Sequence, residues 1–241
     1  MSDIKSKVDV VIATMGNLEV VKEFLESLYP LPDQWKVYIY DSNASQIDGT
    51  KQYLVEKQKE LGFTLIDDGV DSAHGLAIEK LIAKSTSPWI LMLDSDAKLL
   101  DKKFYSMAES VINEQKFKVW GRVDRTSPLP DIYKTPRVKL LRTYSWNLLF
   151  ERKFFIDNKL TVSPHRLEHN ITKDNGAREN LLIWGDTSWQ LFWVSSTKDL
   201  FGRYPDDMWG CWEHKDHSTV NWRAANREQL LELRMKNSKK Q

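Results

Sequence analysis

Apolar and polar positions follow two alternating rhythms over the first hundred residues. VDVVIAT (Val8–Thr14) is a short, β-branched apolar run that predicts a buried strand. Asn17 then stands where a helix N-cap belongs, and Val20, Val21, Phe24, Leu25 and Leu28 recur at helical spacing until Pro30 and Pro32 stop them. WKVYIY (Trp35–Tyr40) predicts a second strand ending at Asp41, Thr50–Leu61 a helix, and FTLID (Phe63–Asp67) a third strand. From His74 to Lys84 the pairs Ala77 with Leu81 and Ile78 with Ile82 mark another helix, which Ser87-Pro88 breaks. WILMLD (Trp89–Asp94) is a fourth, strongly apolar strand. Later elements are less regular: a helix over Lys102–Glu114, a strand over Lys118–Val123, a proline-containing loop over 124–137, a helix over Thr187–Gly202 and a C-terminal helix over Trp222–Arg234.

Strand and helix in strict alternation with short connections imply a mainly parallel sheet covered on both faces. Ligands of such sheets bind at the carboxyl ends of the strands. Polar residues collect at those ends: Thr14, Asp41, Asp67 with Asp68, and Asp94 with Asp96. Loops begin there as well, so any single one of these residues is explained by solvation alone.

Composition narrows the class. With 241 residues, 41% of them hydrophobic, the chain can bury one sizeable core, so a single domain is expected. Net charge is +1, which argues against a whole-molecule grip on nucleic acid or an acidic membrane. One cysteine, Cys211, leaves no disulfide framework and no cysteine-built zinc site. No apolar run approaches the roughly 20 residues of a membrane span, and MSDIKSKVD carries no apolar signal core. The expectation is a soluble, cytoplasmic globular protein.

The strongest chemical signal is LMLDSDAKL (Leu91–Leu99), with Asp94 and Asp96 two apart directly after a buried strand. Hard cations such as manganese or magnesium favour carboxylate oxygens, although a solvated turn with Asp96 as a cap uses the same residues. ATMGNLE after the first strand is neither G-x-G-x-x-G nor a P-loop, which disfavours a dehydrogenase or a P-loop NTPase. If a nucleoside diphosphate binds, a metal must neutralise much of its charge.

Three segments then carry a family resemblance. VDVVIATMGNLEVVKEFLESL resembles the opening strand and helix of family 2 glycosyltransferases, with ATMGN in the slot of P-T-Y-N. YIYDSNASQIDGT resembles their V-D-N-G-S-x-D-G-T segment, and HGLAIEKLIAKSTSPWILMLDSDAKL their G-x-A-x-A-x-N-x-G-I segment leading to D-x-D. Together they cover residues 8–99 in the family's order. Departures are Met15 and Gly16 in the aromatic region, Ser42-Asn43 for Asn-Gly, and Glu79 near the usual Asn. The resemblance implies a GT-A fold: a Rossmann-like, mixed but mainly parallel sheet flanked by helices. Residues 1–100 would form the nucleotide-sugar half and 101–241 an acceptor half with a basic C-terminal helix.

It also implies roles. Thr14, Asp41, Asp94 and Ser95 would line the nucleotide-sugar pocket, with Asp71 and His74 near its edge. Asp96 would face the metal, manganese or magnesium. A weaker echo in the second half, GDTSWQLFW (Gly185–Trp193) and MWGCWEHKDHS (Met208–Ser218), makes His214 the metal histidine, with His217 second. Asp186 would be the base that takes the acceptor's proton in a single, inverting displacement, with Glu213 and Asp216 as rivals. An Asp before Thr-Ser-Trp is equally an ordinary N-cap, and Glu213 to His217 equally an exposed polar loop. The expected activity is metal-dependent transfer from a nucleoside diphosphate sugar, first a UDP-sugar, to a hydroxyl of a glycan or lipid-linked glycan, with peripheral membrane contact.

Two other readings share these residues. Lys134–Lys153 holds six Lys/Arg against one Glu, and the tail from Ser218 six against two acids. Such patches could grip phosphates, making duplex DNA with a hydroxylated base the acceptor. A non-catalytic nucleotide-sugar-binding module would keep the fold alone. Six of the ten tryptophans fall between Trp184 and Trp222. Most serve a core, while Trp209 or Trp212 would line the acceptor pocket.

Overall fold

The computed structural model describes residues 8–70, 72–124, 142–143, 146–163, 165–172, 178–185, 188–215 and 218–238. The first half follows the sequence pattern closely: β1 (Val8–Thr14), α1 (Leu18–Leu28), β2 (Trp35–Asp41), α2 (Thr50–Leu61), β3 (Thr64–Ile66), α3 (His74–Lys84) and β4 (Trp89–Asp94). Next come β5 (Ala97–Leu99), α4 (Lys103–Glu114), β6 (Val119–Gly121), β7 (Val123–Asp124), β8 (Arg142–Thr143), β9 (Asn147–Glu151) and α5 (Arg152–Asp157). The chain ends with β10 (His165–Thr172), β11 (Arg178–Gly185), α6 (Trp189–Thr197), β12 (Phe201–Arg203), α7 (Asp206–Trp209), β13 (Trp212–His214), α8 (Ser218–Ala225) and α9 (Arg227–Ser238).

Seven strands form the main sheet in the order β12-β6-β9-β4-β1-β2-β3. β3, β2, β1 and β4 run parallel, and β9 enters antiparallel between β4 and β6. Alternate residues of each central strand feed two cores, as period-two geometry requires. Val10, Ile12, Val37, Ile39, Leu91 and Leu93 pack with α1 and α4, whereas Val11, Tyr38, Tyr40, Ile90 and Met92 pack with α3 and α5. Burial on both faces is why these strands read as unbroken apolar runs.

One charge interrupts β1. Asp9 is fully buried, and its carboxylate accepts hydrogen bonds from the Thr86 and Ser87 amides (2.8 and 2.9 Å) and the Ser87 hydroxyl (2.7 Å). It fixes the turn from which β4 departs. Asn17 precedes α1 as predicted, yet its side chain makes no capping bond. Asp48 supplies the cap instead. One oxygen accepts the amides of Asn17 (2.6 Å) and Leu18 (3.1 Å), and the other the amide and hydroxyl of Thr50 at the start of α2. A carboxylate there also suits the positive ends of both helices.

Three predicted boundaries are corrected. The helix expected over Thr187–Gly202 stops at Thr197, because Asp199 takes a positive φ of 53° and Phe201–Arg203 joins β6 as a parallel strand. The single C-terminal helix is two, with a turn at Asn226, whose backbone amide (3.0 Å) and side-chain amide (2.8 Å) both donate to the Trp222 carbonyl. Lys118–Val123 splits into β6 and β7. The 124–137 loop lies almost entirely outside the described residues, as does much of Lys134–Lys153. Among the described residues no helix is long and apolar enough to cross a membrane.

Candidate active site

The sheet order reverses between β1 and β4: the chain moves outward through β2 and β3, then returns to the other side of β1. That reversal opens a crevice at the carboxyl ends of the two strands, where open α/β sheets bind ligands. Thr14 closes β1, Asp41 closes β2 and Asp94 closes β4, so all three stand on one edge. Because β9 runs antiparallel to β4, its first residues reach the same edge, and the Asp94 amide bonds the Trp146 carbonyl (3.2 Å).

Asp41 is buried completely. Its two oxygens accept the hydroxyls of Thr14 (3.1 Å) and Ser45 (2.7 Å). Burial raises its pKa to about 6, the two hydroxyl bonds pull the other way, and the nearby Asp67 carboxylate adds to the rise. Both oxygens are thus held by hydroxyls and kept from water.

Across the crevice, Asp96 sits in the turn between β4 and β5. The short β5 pairs antiparallel with β13, placing Ala97 opposite His214. The Lys215 amide continues the ladder to the Asp96 carbonyl (3.0 Å). This ribbon brings His214 to the two aspartates: Nε2 lies 3.1 Å from Asp96 Oδ1 and 3.8 Å from Asp94 Oδ2. His74, the first residue of α3, approaches Asp94 from the other side, Nε2 to Oδ1 at 3.3 Å. Burial opposes ionisation of Asp94, but the two histidines outweigh it as charges and hydrogen-bond donors, and they hold the carboxyl well below the ordinary carboxylate range. The Ser218 hydroxyl, opening α8, donates to Asp96 Oδ2 (2.6 Å) and leaves Oδ1 facing His214.

One ligand atom from each of Asp94, Asp96 and His214 lies within 4.8 Å of the others. Oxygen ligands on one octahedral ion at about 2.1 Å stand roughly 3–4 Å apart, so small side-chain rotations close the set around an ion. Two carboxylates suit manganese or magnesium, and a neutral imidazole, a softer donor, is better matched to manganese than to magnesium. The donor set therefore fits a divalent cation.

The imidazole is also held from behind. Trp146 stacks on His214 with centroids 4.6 Å apart and planes 7° from parallel. Trp209 packs on Trp146 at 4.5 Å, and the Arg122 guanidinium lies 4.8 Å from the Trp209 centroid. This stack fixes the plane in which His214 presents Nε2. Trp209, half-buried, packs against Trp146 and Arg122. Trp212 is buried edge-on against Phe104 (5.0 Å), which corrects the acceptor-pocket expectation for that ring.

Of the residues singled out in the sequence, the structure brings Thr14 to Asp41, and His74 and His214 to Asp94, with His214 also reaching Asp96. Ser95 is half-buried in the turn between the two aspartates. Glu213 is exposed, and strand alternation turns it away from the face that carries His214, so the structure does not bring it to the group. Asp71, Asp186, Asp216 and His217 lie outside the described residues. Glu79 faces the second half: its Oε1 accepts the amides of Val162 (3.1 Å) and Ser163 (3.3 Å) and the Thr161 hydroxyl. Ser45, Trp146 and Ser218 escaped the sequence reading. Only their positions in the folded chain mark them, although Ser45 lies four residues past Asp41 in a short helical turn and was the most accessible of the three.

The profile of glycosyl transferase family 2 matches residues 9–170. A search of curated proteins finds no match. Among solved structures, the Pyrobaculum calidifontis mannosyltransferase PcManGT, determined with GDP-Man and Mn2+, aligns with a TM-score of 0.50 at 20% identity. That alignment covers 65% of this chain and 47% of the mannosyltransferase. Residues 1–349 of S. aureus TarS, determined with UDP-GlcNAc, align with a TM-score of 0.51 at 20% identity, over 65% of this chain and 48% of that one. The match thus spans less than half of either neighbour. At this identity the likeness shows the fold, the GT-A arrangement of a mainly parallel sheet between helical layers.

Proposed function

Because the chain belongs to glycosyl transferase family 2, we propose that it moves a sugar from a nucleoside diphosphate sugar to a hydroxyl acceptor, with a divalent cation held by Asp94, Asp96 and His214. The observation that carries this reading is the convergence of those three side chains at the same sheet edge as the buried Thr14–Asp41 pair. One end of the crevice meets a base, and the other meets the charge of a diphosphate.

Each residue then has a task. Asp41, oriented by Thr14 and Ser45, accepts N–H groups of the base. Asp94, kept ionised by His74, and Asp96, oriented by Ser218, present oxygens to the cation. Trp146 holds the His214 ring in register. When bound, manganese or magnesium supplies Lewis acidity that offsets the negative charge gathering on the departing diphosphate. The acceptor oxygen forms its bond to the anomeric carbon from the face opposite the diphosphate, the anomeric C–O bond breaks, and configuration inverts. The acceptor proton passes to a carboxylate, for which Asp186 stands ahead of Glu213, given the exposed, outward position of Glu213.

The test is a panel of UDP- and GDP-sugars incubated with the protein plus Mn2+, Mg2+ or EDTA, with release of the nucleoside diphosphate followed. Release with at least one donor, abolished by EDTA and by Asp96→Ala, is expected. Metal-independent release, or none accompanied by no nucleoside diphosphate binding, would overturn the proposal.

A further inference from the structure

Gly16 follows β1 with a φ of 118°, and a Cβ built on it falls 2.4 Å from both Cζ2 and Cη2 of Trp222. The indole therefore rests directly on the backbone of the loop that leaves Thr14, and only the absence of a side chain at Gly16 admits it. Trp222 belongs to α8, far along the chain, and is half-buried while Asn221, Arg223, Ala224 and Ala225 beside it are exposed. The first residue of the same helix, Ser218, donates to Asp96 Oδ2. Just before it, Lys215 pairs with Glu23 of α1 (2.6 Å). α8 is thus pinned at Asp96 by its first residue and at the loop after Thr14 by Trp222.

We propose that Trp222 is a donor-binding residue: its indole forms the outer wall of the pocket beside Gly16 and covers the base of the nucleotide, while Ser218 ties that wall to Asp96. Asn221, Arg223, Ala224 and Ala225 on the same helix face solvent, whereas the indole lies against a backbone two residues from Thr14, the hydroxyl of which reaches Asp41. A flat, apolar, polarisable ring in that position fits the π-face of a base and tolerates either a purine or a pyrimidine. Discrimination between bases then falls to Asp41 rather than to the wall.

The inference rests on the donor reading, and the experiment separates the two. Binding of UDP and of GDP in the presence of Mn2+, and of Mn2+ alone, is measured by calorimetry on the full chain for wild type, Trp222→Ala and Trp222→Phe. Base–aromatic stacking predicts that Trp222→Ala weakens the better nucleotide by about five- to a hundredfold, with Mn2+ affinity unchanged. Trp222→Phe should stay within about threefold of wild type. In turnover, the alanine variant should raise the donor KM by the same factor and leave kcat near wild type. Equal nucleotide affinity in wild type and Trp222→Ala overturns the inference alone. So does a parallel loss of Mn2+ and nucleotide binding in both variants, the mark of a purely structural side chain. A wild type that binds neither nucleotide overturns the donor reading together with it.

Discussion

Replacing Asp41 with Asn should make the protein less dependent on pH, in a window and by an amount that the structure sets. The wild-type carboxyl is fully buried, with a pKa raised from 3.8 to about 6. Between those values the folded protein holds a proton that the unfolded chain has released. The folded state binds more protons, so stability falls as pH rises from about 4 to about 6, and it is level above that window. A shift of about two units at about 1.4 kcal/mol each amounts to roughly 3 kcal/mol. Asn is the same size and carries no charge, and the Thr14 and Ser45 hydroxyls can each donate or accept, so the amide finds partners. Urea unfolding of both proteins from pH 4 to 7.5 reads the effect as the difference in free energy between variant and wild type. Other carboxylates cancel in that difference. It should move in favour of the variant by about 3 kcal/mol across the window, with unchanged slopes against urea. A difference that stays constant with pH would refute the burial argument for Asp41, and with it the description of a dry base pocket.

The remaining expectations concern the scaffold and the metal. Asp9→Ala leaves three donors in or beside the core without their acceptor and should cost about 3 kcal/mol, read by denaturant unfolding; a loss under about 1 kcal/mol would show that water replaces the carboxylate. Asp48→Ala removes the shared cap of α1 and α2 and should cost about 1–2 kcal/mol, which Asp48→Asn partly restores in the same unfolding assay. Trp146→Leu frees the His214 ring and should weaken Mn2+ by about tenfold in a calorimetric titration, while far-ultraviolet dichroism stays as in wild type. Unaltered Mn2+ affinity there would mean that the strand pairing of His214 alone fixes its imidazole.

How far the sequence disclosed this site depends on how local each part is. β1, β2 and β4 are contiguous apolar runs bounded by polar residues, so their carboxyl ends, and with them Thr14, Asp41 and Asp94, were legible from the pattern alone. Two features were not. β5 and β13 are three residues each, too short for a period to show, yet their pairing delivers His214 to Asp94 and Asp96 and turns Glu213 outward. The resemblance pointed to His214, but nothing short of the pairing separates it from its neighbour Glu213. Trp146 matters because β9 inserts antiparallel beside β4, a consequence of topology that no local window contains. Most of the tryptophans were expected in a core, and Trp212, one of the two offered for an acceptor pocket, joins them against Phe104, a packing partner that no local window shows. The apolar positions of the C-terminal segment bridge Asn226, so its periodicity carries no sign of the turn between α8 and α9.

Diffraction from crystals grown with Mn2+ and a nucleoside diphosphate, recorded at the manganese absorption edge, tests the cation site most directly. The predicted result is a single anomalous peak contacted by Asp94, Asp96 and the His214 ring and by the diphosphate oxygens. A nucleotide bound in the crevice with no anomalous density at those three side chains would contradict it.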